Sequence, residues 1–153
     1  MMQANAIRSP HILVIDDEPD LCTLYELTLL REGYQVTTAG TIALARDLLH
    51  AQRFDLVITD MRLPDGMGIE LLKGMKSQQR AERFIVITAY GSAENAVESL
   101  KAGAFDYLTK PVDLKQFRQV VSEAARGRRS AAATACVSMV VNPSSLFGSN
   151  RLL

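Results

Sequence analysis

Five short apolar runs, at 11–16, 34–38, 54–59, 84–88 and 105–109, punctuate the chain, and each is followed by a longer stretch whose apolar residues return at helical spacing. Alternation of this kind predicts a parallel sheet covered by helices. The runs are rich in Ile, Val and Leu, as strands covered on both faces need to be. The first helix is expected from Pro19, which suits an opening turn, to Gly33, with Leu21, Leu24 and Leu27 on its apolar face. A second is expected over 41–51, and a third after the turn Leu63-Pro64-Asp65-Gly66. The fourth carries Ala93, Ala96, Val97 and Leu100 on one face and stops near Gly103. The fifth opens at Asp113, with Gln116 in capping-box spacing, and turns Leu114, Phe117, Val121 and Ala124 inward.

After Ala125 this pattern stops. Arg126, Arg128 and Arg129 form a short basic run, read as a partner for a helix dipole rather than as a binding patch, and no charged residue occurs over 130–150. The expectation is one domain over about 10–126, then a linker-like tail over 127–153 that is flexible or leads to an effector domain. Seventeen basic residues against 17 acidic ones leave no overall field to draw the segment toward nucleic acid or an anionic membrane. Cys22 and Cys136 form no CxxC, and neither His11 nor His50 has a partner at ligand spacing, so zinc and redox-pair chemistry are not indicated. Both histidines are read as structural or exposed. No apolar run approaches the roughly 20 residues of a membrane span, and the first ten residues do not read as a signal peptide. A cytoplasmic, soluble protein is expected.

In an open parallel sheet, ligands bind beyond the carboxyl ends of the strands. The first run ends in Asp16-Asp17, the third in Asp60, the fourth in Thr88 and the fifth in Lys110, so all five side chains should meet at one edge. Three crowded carboxylates repel, and either a proton or a shared cation must relieve them. Hard oxygen ligands with no His or Cys suit magnesium, whose retained waters can be replaced by phosphate oxygens. Lys110 would add a fixed positive charge and Thr88 a hydroxyl, both aimed at a phosphoryl group in transfer. Asp60 is then the natural nucleophile, forming an acyl phosphate.

The segments Val14-Ile15-Asp16-Asp17-Glu18-Pro19, Thr59-Asp60-Met61-Arg62-Leu63-Pro64-Asp65-Gly66, Thr88-Ala89 and Lys110-Pro111 resemble those of response-regulator receiver domains. The resemblance spans about residues 10–126. It implies a flavodoxin-like (βα)5 α/β fold, with a five-stranded parallel sheet of order 2-1-3-4-5 and helices on both faces. It also implies that Asp60 accepts a phosphoryl group from a sensor histidine kinase. Asp17 would bind Mg²⁺ directly, Asp16 through water, and the backbone carbonyl of Arg62 would complete the protein ligands. Thr88 and Lys110 would hold phosphoryl oxygens, Ala89 would leave access open, and Lys110-Pro111 would be cis. Tyr107 falls on the aromatic switch position, and Arg62 and Tyr90 on positions that tune the lifetime of the acyl phosphate. Phosphorylation would then remodel the surface of the fourth helix, fifth strand and fifth helix, through which a homodimer could form.

Two neighbouring chemistries need separating. A haloacid-dehalogenase-type phosphatase also uses a strand-end aspartate, magnesium, Thr or Ser and Lys, but its two aspartates stand one residue apart on the first strand. Here the doublet is adjacent and the acceptor lies on the third strand. A flavodoxin-type cofactor binder would need a phosphate-binding loop, which the sequence lacks. Within the resembled family, 59–66 and 104–114 are similar to receivers of sigma-54-dependent activators of the nitrogen-regulation type, notably the pilus-gene subgroup. Such activators continue into an ATPase and a DNA-binding module. This chain has neither, so it is a fragment of a longer regulator or a stand-alone receiver.

Overall fold

Each apolar run becomes a strand and each amphipathic stretch a helix in the computed structural model, which describes residues 9–89 and 93–126. The first half runs β1 (His11–Ile15), α1 (Pro19–Arg31), β2 (Gln35–Ala39), α2 (Ile42–Ala51) and β3 (Leu56–Asp60). The second half runs β4 (Arg62–Leu63), β5 (Gly66–Met67), α3 (Gly68–Ser77), β6 (Arg83–Thr88), α4 (Ala93–Lys101), β7 (Asp106–Thr109) and α5 (Leu114–Arg126). Five strands pair in parallel in the order β2-β1-β3-β6-β7, which is the expected 2-1-3-4-5 arrangement with β6 and β7 as the fourth and fifth predicted strands. Tyr90, Cys136 and the tail at 127–153 lie outside the described residues.

Period-two alternation divides the strand residues between two apolar layers. Leu13, Ile15, Val57, Phe84 and Val86 pack with α2 and α3 through Ala45, Leu49, Leu72 and Met75. Their strand neighbours Ile12, Val14, Leu56, Ile58, Ile85 and Ile87 pack with α1 and α5 through Tyr25, Leu29, Phe117 and Val121. A fully buried side chain of this size contributes about 1.5–3 kcal/mol relative to exposure, so the two layers supply the main force holding the sheet between its helices.

The expected face of α1 is overturned. Leu24 and Leu27 are 40% and 51% exposed, and the buried residues are Tyr25, Thr28 and Leu29. Leucines occur all round this helix, so a three-residue step through 21, 24 and 27 looked as good as the four-residue step 21, 25, 29 that faces the sheet. Tyr25 decides between them, because its ring stacks on Phe117 of α5 at 5.1 Å between centroids. On α4 the expected Ala93 is exposed, while Ala96 and Ser99 are the buried residues. The turn after β3 also holds more order than expected, since Arg62 pairs with Met67 and Leu63 with Gly66 in a small antiparallel hairpin.

Two polar clasps fix the ends of α2. At its start, the Thr41 hydroxyl accepts from the Leu44 amide at 3.1 Å, and the Asp65 carboxylate accepts from Ile42 and Ala43, each at 2.9 Å. These two bonds hold Asp65 below its ordinary carboxylate range and tie the β4–β5 hairpin to the helix. At its end, Arg80 donates to the carbonyls of Leu49 and Gln52 while also gripping Glu82.

Candidate functional site

The parallel register carries the strand ends to one rim. Thr59 and Asp60 of β3 lie beside Val86 and Ile87 of β6, and Thr88 lies beside Thr109 of β7. Backbone bonds extend the ladder past the strands, with Asp16 N–H donating to Ala39, Met61 N–H to Ile87 and Lys110 N–H to Thr88. Asp16, Asp60, Thr88 and Lys110 are therefore held by sheet hydrogen bonds. A glycine seals the underside of Asp60: a Cβ on Gly68 would come within 2.3 Å of the Asp60 carbonyl oxygen and 2.6 Å of the Thr59 hydroxyl. Gly68 also donates its N–H to Met61 at 2.8 Å, so α3 starts directly against the strand that carries Asp60.

One carboxylate oxygen from each of Asp16, Asp17 and Asp60 lies within 4.8 Å of the other two. Asp16 is 2% and Asp60 9% exposed, whereas Asp17 faces solvent. The Lys110 ammonium stands among them, with Nζ donating to Asp60 Oδ2 at 2.8 Å and lying 3.7 Å from Asp16 Oδ2 and 3.5 Å from Glu18 Oε1. Burial by itself would lower the Lys110 pKa, but the Asp60 hydrogen bond and the charges of Asp60 and Asp16 outweigh it and raise the value.

Asp16 is moved upward from its ordinary carboxylate range, chiefly by burial and further by the Asp60 charge, against the lowering effect of the Glu18 N–H on Oδ1. Its Oδ2 is buried without a hydrogen-bond partner. A buried carboxylate oxygen without a hydrogen bond costs about 1–3 kcal/mol; the Lys110 ammonium, 3.7 Å away, offsets this only in part, and a cation bound at the oxygen would complete the offset. Three hard oxygen donors with one face open to water suit a divalent cation of the magnesium type, so the residues present fit the expected cofactor.

The remaining sequence-predicted residues are distributed around this pocket. Thr88 is fully buried at the rim, its hydroxyl 3.4 Å from the Leu108 carbonyl, and Ala89 beside it is exposed. The Lys110–Pro111 bond is cis, as the resemblance implied. Tyr107 is half-buried on the face of β7 opposite to Leu108, which packs with α1 and α5. Arg62 projects an exposed side chain from β4, immediately after the acceptor strand. His11 bonds to Thr37 at 2.7 Å and lies against Phe54, and His50 is exposed, so both stand outside the pocket.

Three residues have roles here that were not read from the sequence: Glu18 supplies a fourth nearby carboxylate, Gly68 permits the close approach of α3, and Asp65 anchors the hairpin. Glu18 and Asp65 stood in the quoted segments without these roles, and Gly68 carried no signal.

A doubly covered parallel sheet whose carboxyl edge gathers three aspartates and a lysine around one central carboxylate defines a signalling type of α/β domain rather than a nucleotide-loop or zinc fold. The chain belongs to the response regulator receiver domain family, which matches residues 12–122. It is 46% identical over 125 residues to the response regulator protein PilR of Pseudomonas aeruginosa, a match covering 82% of this chain and 28% of the relative. It is 40% identical over 113 residues to the transcriptional regulatory protein ZraR of Klebsiella oxytoca, covering 74% of this chain and 26% of that protein. The chain thus spans about a quarter of the length of these curated relatives. Among solved structures, the Francisella response regulator 1452 receiver domain superposes with a TM-score of 0.73 at 30% identity, covering 77% of this chain and 98% of that one. The beryllofluoride-activated NtrC4 receiver domain dimer gives 0.72 at 31% identity, with 76% and 96% covered. Among the described residues, no helix is long and apolar enough to cross a membrane.

Proposed function

We propose that this chain is the phosphoacceptor module of a two-component response regulator, in which Asp60 receives a phosphoryl group from a sensor histidine kinase with Mg²⁺ in the pocket. The observation that carries this reading is the convergence of Asp16, Asp17 and Asp60 on one point, with Lys110 Nζ 2.8 Å from the central carboxylate. Asp17 and Asp60 would hold the cation directly, Asp16 through water, and the Arg62 backbone carbonyl would be the remaining protein ligand. When bound, the ion neutralises charge on the phosphoryl oxygens and on the crowded carboxylates.

The chain's own groups do the rest. An Asp60 oxygen attacks phosphorus, and the donor's phosphorus–nitrogen bond breaks as the new phosphorus–oxygen bond forms. Lys110 is held charged by its carboxylate partners, and on transfer its ammonium follows the new phosphoryl oxygens. The Thr88 hydroxyl exchanges the long contact to Leu108 for a phosphoryl oxygen, and Tyr107 turns toward the space so released. That motion alters the α4–β7–α5 surface, which favours a homodimer and passes the signal to an output. The module takes residues 10–126, and 127–153 serve as a linker to an effector, a sigma-54-type transcription activator by similarity to the relatives. It works in the cytoplasm, without direct nucleic-acid or membrane contact of its own. Arg62 and Tyr90 set how long the acyl phosphate survives.

Intact mass after incubation with acetyl phosphate and Mg²⁺ tests the reading. Wild type should gain a single phosphoryl group and Asp60→Asn none. A gain retained in Asp60→Asn, or repeated turnover of a phosphoester, would overturn it. Light scattering with and without beryllofluoride then tests the dimer, which an unchanged mass would eliminate.

A further inference from the structure

The chain leaves the main sheet directly after its central carboxylate. Asp60 ends β3, the Met61 N–H still donates to Ile87 at 2.8 Å, and residues 62–67 then form the separate β4–β5 hairpin. Ladder bonds of the main sheet thus hold Asp16 and Asp60 but stop short of Arg62, whose backbone carbonyl is the remaining protein ligand of the proposed ion.

Polar bonds tie this hairpin at its base and at its tip. At the base, the Gly68 N–H donates to the Met61 carbonyl at 2.8 Å. At the tip, the exposed Asp65 carboxylate accepts from Ile42 and Ala43, one amide on each oxygen, both at 2.9 Å. Gly66 beside it approaches the same helix turn so closely that a Cβ there would stand 3.0 Å from Ile42 Cδ1. The helix end that receives Asp65 is anchored to the rim in its turn. Ile42 follows Ala39 by three residues, and the Ala39 carbonyl accepts the Asp16 N–H at 3.1 Å. One chain of contacts therefore runs from Asp16 through Ala39 and the first turn of α2 to Asp65, then along the hairpin to Met61 and Asp60. For α2 alone a local cap is already present, since the Thr41 hydroxyl accepts from Leu44. What Asp65 adds, from 22 and 23 positions away, is a charge-assisted link between that helix and the loop beyond Asp60.

We infer that Asp65 is a positioning residue for the cation pocket: by pinning the hairpin tip to the first turn of α2, it holds the Arg62 backbone where its carbonyl can meet the ion. This rests on the proposed magnesium site, and it makes α2 a support of that site without contact to the ion. Partners that orient metal-binding groups commonly change metal affinity by about 10–100-fold when removed.

The test is calorimetric titration of the whole chain with MgCl₂, comparing wild type, Asp65→Ala, Asp65→Asn and Thr41→Ala, alongside their thermal midpoints in metal-free buffer. Asp65→Ala and Thr41→Ala each remove a cap from α2, so both midpoints should fall. Only Asp65→Ala also frees the hairpin, and it should bind Mg²⁺ about tenfold more weakly. Asp65→Asn keeps one acceptor oxygen and should lie between Asp65→Ala and wild type, while Thr41→Ala should keep wild-type affinity. If Asp65→Ala fails to fold, Asp65→Asn decides on the same terms. Wild-type affinity in the Asp65 variants would overturn the inference, as would an equal loss in Thr41→Ala, because helix capping alone would then account for it. If wild type itself gave no binding heat and no Mg²⁺-dependent midpoint shift, the magnesium reading would fall and the inference with it, a pattern distinct from the other two.

Discussion

Asp16 and Glu82 are both almost wholly buried carboxylates, 2% and 3% exposed, at opposite ends of the sheet. Glu82, at the entry to β6, has both oxygens occupied: Arg80 grips it with Nε and Nη2, and the Phe54 amide donates to Oε2 at 3.1 Å. Burial would push its pKa up, but the Arg80 bonds, helped by the Phe54 amide, bring it below the ordinary value. Asp16, just past the exit of β1, has one oxygen hydrogen-bonded and the other without a hydrogen bond, met only by the Lys110 ammonium at 3.7 Å, and its pKa is raised. The same kind of group is thus structural where its partners are complete and open to a ligand where one is withheld. A saturated carboxylate stores no demand for a ligand. An unsaturated one, crowded by Asp60, creates it.

The largest test of this contrast is Arg80→Ala. It strips Glu82 of its ion pair and also uncaps Leu49 and Gln52, so chemical unfolding should show a loss of about 3–5 kcal/mol. A loss under 1 kcal/mol would mean that the clasp is not what holds this end of the sheet. Next comes Gly68→Ala, which forces a methyl against the Asp60 carbonyl and should cost about 1–3 kcal/mol, with phosphorylation slowed because the acceptor strand shifts. Unchanged stability would show that α3 can retreat freely.

Asp16→Asn should act in the reverse sense. In metal-free buffer it removes a buried charge and its repulsion with Asp60, so the midpoint should rise by about 2–6 °C, a gain of ~1 kcal/mol in a domain of this size. Mg²⁺ should then stabilise wild type far more than the variant. The pH dependence has matching signs. Because the folded pKa of Asp16 lies above the unfolded 3.8, its ionisation costs stability once pH rises through that raised value, and acidification from neutrality relieves the cost. Glu82 does the opposite: its folded pKa lies below 4.5, so its contribution is complete above that pH and disappears as pH falls through the lowered value. Metal-free wild type should therefore gain stability on mild acidification before losing it, and Asp16→Asn should show only the loss. A monotonic fall in wild type would refute the sign given to Asp16. The smallest effect belongs to Glu18→Gln. Its carboxylate is 61% exposed and 3.5 Å from Lys110, so stability should change by less than about 0.5 kcal/mol.

Several features were legible without coordinates because they are local or periodic. The Ile, Val and Leu runs, the Pro19 helix start and the Asp113 cap depend on neighbours within one turn or one strand, and each stands within two residues of its expected place. The rim residues were legible for a related reason: a parallel sheet sends every strand end to one edge, so Asp16, Asp60, Thr88 and Lys110 had to meet once the strands were placed. Chain order alone therefore determined the class of fold and the membership of the pocket.

Tertiary structure decided everything that turns on which of two similar side chains meets a distant partner. Leu24 and Leu27 look as apolar as Leu21 and Leu29, and it is the packing of Tyr25 and Leu29 with the sheet and with Phe117, 92 positions beyond Tyr25 in the numbering, that leaves them facing water. Gly68 carries no signal of its own until α3 is laid on β3. Glu82 and Asp16 are each one acidic letter. Whether such a letter is quiet or demanding is set by how many donors the fold brings to its oxygens, and those donors come from across the chain.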